Sequence, residues 1–413
     1  MIKLDRNLTR LLTAIFMDYN PALYEAIAHQ ITTCPENRIT FSTYMDLALY
    51  HPLHGYYSNQ AANIGKKGDF FTSVHLGTDF GELLAEQFVQ MWEILGKPQP
   101  FNLVEMGAGQ GYLAVDLLNY IQQQYPDFYT YLDYIIVERS PTLTQVQQEK
   151  LAEFPVTWQT LNTIPSNSII GCFFSNELVD AMPVHQFTIR GGKLQEIYVT
   201  TKEFVTTGEE SKFSQSLFVE VSGEPSTPKL KEYFQLVDIS VEKYSDEYQS
   251  EVNLAALEWL NKVSDRLQRG YLLTIDYGYP AHRYYNPMRS QGTLQCYWQH
   301  QRHNNPYINV GKQDITTHVD FTALEKWGDR CGLTKIDFTQ QGLFLMALGL
   351  GQRIASLSYT EQPISQLLHR RDTLHQLLDP MGLGGFGVLL QTKGLQETEI
   401  SQPLQGFTIP DSP

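Results

Sequence analysis

Little in this chain of 413 residues invites a metal or a disulfide. Its four cysteines, Cys34, Cys172, Cys296 and Cys331, stand far apart and never form a C-x-x-C pair, which excludes a zinc knuckle or a disulfide framework as an organising device. No uninterrupted apolar run reaches the roughly 18 residues that a membrane-spanning helix needs. Basic residues are the minority, 30 against 45 acidic, for a net charge of −15. A nucleic-acid partner is thereby excluded as a whole-surface ligand, because phosphate neutralisation needs Lys and Arg gathered on one face. There is no internal repeat, and the only biased stretch is a polar tail, 395–413. The opening MIKLDRNLTRLLTAIFMDYN has charges at both ends of a short apolar patch and reads as an amphipathic helix rather than a signal peptide, so a cytoplasmic location is expected.

What is present is a globular composition, 42% hydrophobic and 18% charged, with length enough for one large domain bearing insertions or for two domains. Residues 1–100 read mostly as helices and loops; in TDFGELLAEQFVQMWEIL (78–95) Phe80, Leu83, Leu84, Phe88, Met91 and Leu95 recur on one helical face. From Phe101 short apolar runs alternate with helical segments, which implies a parallel sheet wound by crossover helices over 101–394. Two insertions interrupt it. One, at about 187–240, begins as a hairpin around Gly191 and Gly192 and reads as a β-rich lobe. The other, at about 280–320, is too long and aromatic for a plain connector.

Two features in the alternating region bear chemistry. VEMGAGQG (104–111) follows an apolar run and opens a helix, so Gly107, Gly109 and Gly111 permit close approach of a ligand to backbone N–H groups. A dinucleotide fingerprint would place Gly or Ala where Tyr112 stands; an acid before the loop, Glu105, fits the first motif of class I S-adenosylmethionine methyltransferases instead. Glu138 closes the next strand, DYIIVERS, where a carboxylate can accept hydrogen bonds from a ribose diol. Then FFSNELVDAMPVH (173–185) leaves an apolar strand and meets Asn176, Glu177, Asp180 and His185 within ten residues, an expense a doubly buried strand avoids unless its end opens onto a site. Asp276, ending LLTID, is aimed at the same crevice without a role. His300 and His303, with N304-N305-P306-Y307, read as substrate-loop or surface residues, and no metal is expected.

Together ALYHPLHGYY (48–57), GDFFTS (68–73), VEMGAGQG, NELVDAMPVHQF (176–187), IDYGY (275–279) and DITTHVDFTAL (314–324) resemble the MidA family, also called DUF185. The resemblance implies an α/β fold with a Rossmann-like class I methyltransferase sheet, a helical N-terminal region serving as cofactor lid and an inserted β-rich lobe. It implies S-adenosyl-L-methionine as donor and a protein arginine as acceptor, in a subunit of a complex I-like NADH or plastoquinone-type complex. Gly68, Thr72, Glu105, Gly107, Gly109, Gly111, Glu138 and Asn176 are the expected donor-binding residues. Glu177, Asp180 and His185 are the expected catalytic ones, because paired carboxylates fix the plane of a guanidinium and an imidazole can accept a proton through water. This chain departs from the family at Ala108, at Val74 and His75, and at Gln295, near which relatives carry an Arg. A small-molecule acceptor, a donor-binding assembly chaperone without catalysis, and a homodimer stay open.

Overall fold

Strands apolar on both sides need cover on both faces, and the computed structural model supplies it. It describes residues 20–59, 72–207, 212–357 and 363–409; the opening stretch 1–19 and Gly68 lie outside them. Seven strands form the central sheet: β1 (Phe101–Met106), β2 (Leu132–Val137), β3 (Val156–Gln159), β4 (Ile169–Asn176), β5 (Leu267–Asp276), β6 (Thr334–Gln340) and β7 (Gly387–Lys393). Their order is β6-β7-β5-β4-β1-β2-β3. β7 runs antiparallel to both neighbours, while the pairings from β5 through β3 are parallel. Successive residues feed opposite cores: Val104, Phe173, Leu272 and Leu389 face one, and Leu103, Phe174, Leu273 and Leu390 the other.

Helices α1 (Asp79–Ile94) and α2 (Tyr112–Gln124) cover the second face, with Phe80, Leu83, Leu84, Phe88 and Met91 buried as their spacing predicts. α3 (Pro141–Lys150) follows β2 and starts at Ser140, whose Oγ accepts the Leu143 N–H at 3.3 Å. α4 (Leu254–Arg266) and α5 (Phe321–Cys331) cover the first face, capped by Asn253 and Asp320.

A second sheet is built from residues 38–40, 185–190, 193–207, 212–223 and 249–252. The hairpin expected at Gly191 and Gly192 is there, both at positive φ. The lobe draws strands from outside 187–240, because 38–40 and 249–252 complete its edges. The helices at 21–33 and 41–50 pack on that lobe, Leu23, Phe41 and Tyr44 lying with Val199 and Phe218. Residues 280–320 fold into a three-stranded antiparallel sheet whose hairpin turns at Gln299 and His300, both at positive φ. The polar tail packs back on α1: Leu404 is buried, and the Gly406 N–H donates to Gln87 Oε1 at 2.9 Å. No helix among the described residues is long and apolar enough to cross a membrane.

Candidate active site

The carboxyl ends of β1, β2 and β4 open into a cavity of about 650 Å³, the crevice where open parallel sheets hold ligands. Gly107 and Gly109 both adopt positive φ, 72° and 52°, a conformation that costs L side chains free energy. They line the cavity, and a Cβ on Gly109 would point into open space with nothing within 4 Å. Gly111, at φ 77°, caps α2 and shapes the turn, and it is not among the residues that line the cavity. Glu105 lines it, held by the Tyr134 hydroxyl at 2.7 Å, and burial pushes its carboxyl up to about 7.

Glu138 is fixed from three sides. Its Oε1 accepts the N–H groups of Arg139 and Ser140 at 2.7 and 2.8 Å, and its Oε2 accepts Gln147 Nε2 at 3.0 Å. A carboxylate offers about four acceptor positions, so one, on Oε2, stays available to a ligand rather than the two a bidentate grip would use. Gln147, fully buried on α3, also donates to the Gly109 carbonyl at 2.7 Å and accepts the Trp158 indole N–H at 3.0 Å. This one amide locks the glycine loop to the acid of the next strand. Gln147→Leu would leave the Trp158 N–H and the Gly109 carbonyl unmatched, each costing about 1–3 kcal/mol. S-adenosylhomocysteine affinity measured by calorimetry is expected to fall roughly tenfold, the equivalent of about 1.4 kcal/mol; an unchanged affinity would show that the loop holds its shape without the bridge.

On the opposite wall the chain turns sharply at Glu177, a non-glycine residue at φ 53° whose N–H bonds the Ile275 carbonyl at 2.9 Å. Such strain in a non-glycine residue collects at functional sites. Asn176 Nδ2 donates to Glu177 Oε1 at 3.1 Å, and Tyr277 O–H to Asp180 Oδ2 at 2.7 Å. Asn176 Oδ1 and Asp180 Oδ1 are buried with no hydrogen-bond partner among the described residues. Glu177 is enclosed by protein yet keeps some surface on the cavity; burial first and the Asp180 charge second push its carboxyl up to about 8. Burial likewise holds Asp180 above the usual carboxylate range. Residues 178–182 form turns rather than the helix that would have set the two acids on one face, but the turn still brings them together.

Asp276 has its role in this turn. Its oxygens accept the N–H groups of Val179, Asp180 and Tyr277 at 2.9, 3.3 and 2.9 Å, so it anchors the wall from beneath. His185 is a correction. The loop after Asp180 carries it out of the crevice into the second sheet, where its Nδ1 pairs with the buried Glu196 at 2.8 Å, and it does not line the cavity. Thr72 does line the cavity, its Oγ1 2.8 Å from His75 Nδ1.

The N-terminal region was expected as a lid, but none of the residues that roof the cavity was singled out from the sequence. Tyr50 and Tyr57 stack at 5.3 Å; the Tyr50 hydroxyl donates to the Ala181 carbonyl at 2.9 Å, and that of Tyr57 to both oxygens of Asp314 at 3.0 Å. Arg139 lies over Tyr50 at 4.6 Å and pairs with Asp46 at 2.9 Å. The strings ALYHPLHGYY, IDYGY and DITTHVDFTAL hold Tyr50, Tyr57, Tyr277 and Asp314 and were the available signal. Gln147, one glutamine among several in its helix, carried none.

Residues 83–339 match the family described as "Putative S-adenosyl-L-methionine-dependent methyltransferase". The chain is 28% identical over 402 residues to the Drosophila melanogaster protein arginine methyltransferase NDUFAF7 homolog, mitochondrial, covering 90% of this chain and 85% of that one. It is 26% identical to the human mitochondrial protein arginine methyltransferase NDUFAF7, covering 87% and 81%. A crystal structure of a Burkholderia thailandensis protein bound to S-adenosyl-homocysteine superposes with a TM-score of 0.78 at 27% identity, covering 95% of each chain. The cavity fits such a donor. It offers open space at Gly109, an acceptor position at Glu138, an unpartnered oxygen on Asn176 for a cationic amino group, and apolar walls from Val137, Leu143 and Leu161 for a base. With a class I sheet, a glycine loop at its first strand and a family match over more than half its length, the chain belongs to the MidA-type family of S-adenosyl-L-methionine-dependent methyltransferases.

Proposed function

We propose that the chain is a protein arginine N-methyltransferase whose acceptor is a subunit of a complex I-like NADH or plastoquinone-type complex, and that methylation aids assembly of that complex. The observation that carries the arginine reading is the wall of Glu177, Asp180 and Asp314 under a tyrosine roof, with an oxygen of Asp180 still unpartnered. Carboxylates aimed into a partly apolar cavity favour a planar cation, which repays their desolvation by bidentate hydrogen bonding. The names of the curated relatives support it, and the family resemblance supports the complex I-like target.

The donor supplies an electrophilic methyl group on a sulfonium. In this reading Glu177 and Asp180 hold the guanidinium in plane and draw its positive charge away from the attacking nitrogen. That nitrogen gains the methyl group and loses one proton, which the Glu177 carboxylate accepts, its raised affinity for protons matching the task. Tyr277 and Asp276 keep the wall in place, and the tyrosine roof excludes water.

The pH dependence follows from the sign of the shift. A carboxyl raised to about 8 is protonated below that pH and ionised above it, and both cation binding and proton acceptance need the ionised form. kcat/KM for an arginine substrate is expected to rise with pH, by at most about tenfold per unit, and to level off near 8. Initial rates across a pH series check this; a flat profile from pH 6 to 8 would remove Glu177 as proton acceptor.

A direct test incubates the purified protein and donor with subunits of such a complex and maps methyl groups by mass spectrometry. Methylarginine on a subunit is expected, whereas methylation of a small molecule or of another side chain alone would overturn the arginine reading.

A further inference from the structure

The protein is strongly acidic, yet three arginines of the 280–320 insertion, Arg283, Arg289 and Arg302, have no ion-pair partner among the described residues. Two of them, Arg283 and Arg289, lie on one aromatic pair. Tyr279 and His318 stack at 4.8 Å and 16°, and the guanidinium carbons of Arg283 and Arg289 lie 4.4 and 4.6 Å from the centre of the Tyr279 ring. Arg302 stands on the neighbouring hairpin opposite Tyr297, and its charge acts on His318. His318 Nδ1 is buried without a hydrogen-bond partner among the described residues, and burial first, then Arg289, Arg302 and Arg283, push the ring down to about 4, so it is neutral at pH 7.

The cluster adjoins the acidic wall. The ring of Tyr277 meets His318 edge-on at 5.1 Å while its hydroxyl binds Asp180. On the insertion's small sheet Tyr297 stands between Arg302 on one neighbouring strand and Asp314, which lines the cavity, on the other. A basic shelf next to an acidic pocket is a two-sign pattern that no single small cation would need. Arg289 spends its Nη1 on the carbonyls of Arg283 and Tyr284, which stiffens the shelf; Arg283 and Arg302 are exposed to solvent.

We infer that Arg283 and Arg289, held on the Tyr279–His318 stack, together with Arg302 on the neighbouring hairpin, dock an acidic segment of the acceptor polypeptide beside the arginine that enters the cavity. The inference rests on the polypeptide-acceptor reading above. Exposed charge pairs are each worth little, and two reversed together shift affinity by about tenfold.

The test uses the full-length protein with saturating S-adenosylhomocysteine and two fluorescein-labelled peptides, one arginine flanked by aspartates or by asparagines. Anisotropy titrations at low salt are expected to show the aspartate peptide bound about tenfold more tightly, with the preference fading at about 0.5 M salt. Arg283→Glu with Arg302→Glu is expected to abolish that preference while leaving S-adenosylhomocysteine affinity unchanged; Arg283→Gln with Arg302→Gln, the gentler pair, is expected to reduce it. Equal affinity for the two peptides, a preference retained by the charge-reversed protein, or tighter binding of an oligouridylate than of the acidic peptide would overturn the shelf. Transfer of methyl groups to the peptide arginine is scored separately, so the shelf and the arginine reading can each fail alone.

Discussion

Glu177→Gln is expected to reduce methyl transfer to an arginine substrate by roughly 10³-fold, about 4 kcal/mol of transition-state free energy, with donor affinity nearly intact. The substitution keeps the size and planarity of the side chain, so the Asn176 contact and the turn survive. It removes the negative charge that holds the guanidinium and the acceptor of its proton. Gln also loses the titration near 8, so the residual activity is expected to lose its rise with pH. Single-turnover rates beside calorimetric S-adenosylhomocysteine titrations separate the two halves of the site; full transfer activity in the variant would take Glu177 out of the chemistry.

Gly109→Val is expected to weaken S-adenosylmethionine binding by at least about 10²-fold. A β-branched residue at φ 52° is strained, by about 1–3 kcal/mol, and its side chain would occupy the open space that the cavity keeps at this position. Gly109→Ala separates the causes. Alanine bears part of the backbone strain but fills little space, so its loss of affinity is expected to be clearly smaller. Equal losses in the two variants would assign the glycine to backbone conformation alone, and calorimetry that finds valine harmless would move the donor elsewhere.

The two halves of the site were unequally legible in the sequence. The residues expected to bind the donor are local: Glu105, Gly107 and Gly109 lie in one string, and Glu138 directly follows the next strand, so strand–loop–helix periodicity places them together. The wall and roof proposed for the acceptor are assembled from residues more than a hundred positions apart, Tyr50 and Tyr57 meeting Ala181 and Asp314, and spacing carries no record of such contacts. His185 misled because nearness along the chain is not nearness in space once Glu177 turns the backbone and the following strand joins another sheet. The alternation of strands and helices announced a parallel sheet, but the reversal of β7 left no trace in it, since an apolar run reads the same in either direction. The lobe was visible from its glycine hairpin, while its edge strands were too short and too distant to be joined to it on paper.

The proposed transfer of a methyl group to a protein arginine held by the carboxylate wall is open to a direct test. Its most direct measurement is quantitative mass spectrometry of complex I-like subunits from cells producing the wild-type protein, the Glu177→Gln variant or neither. Methylarginine on a subunit with the wild type, and its loss in both other cases, is the expected result. The same methylarginine in all three, or methyl groups only on other side chains, would contradict it.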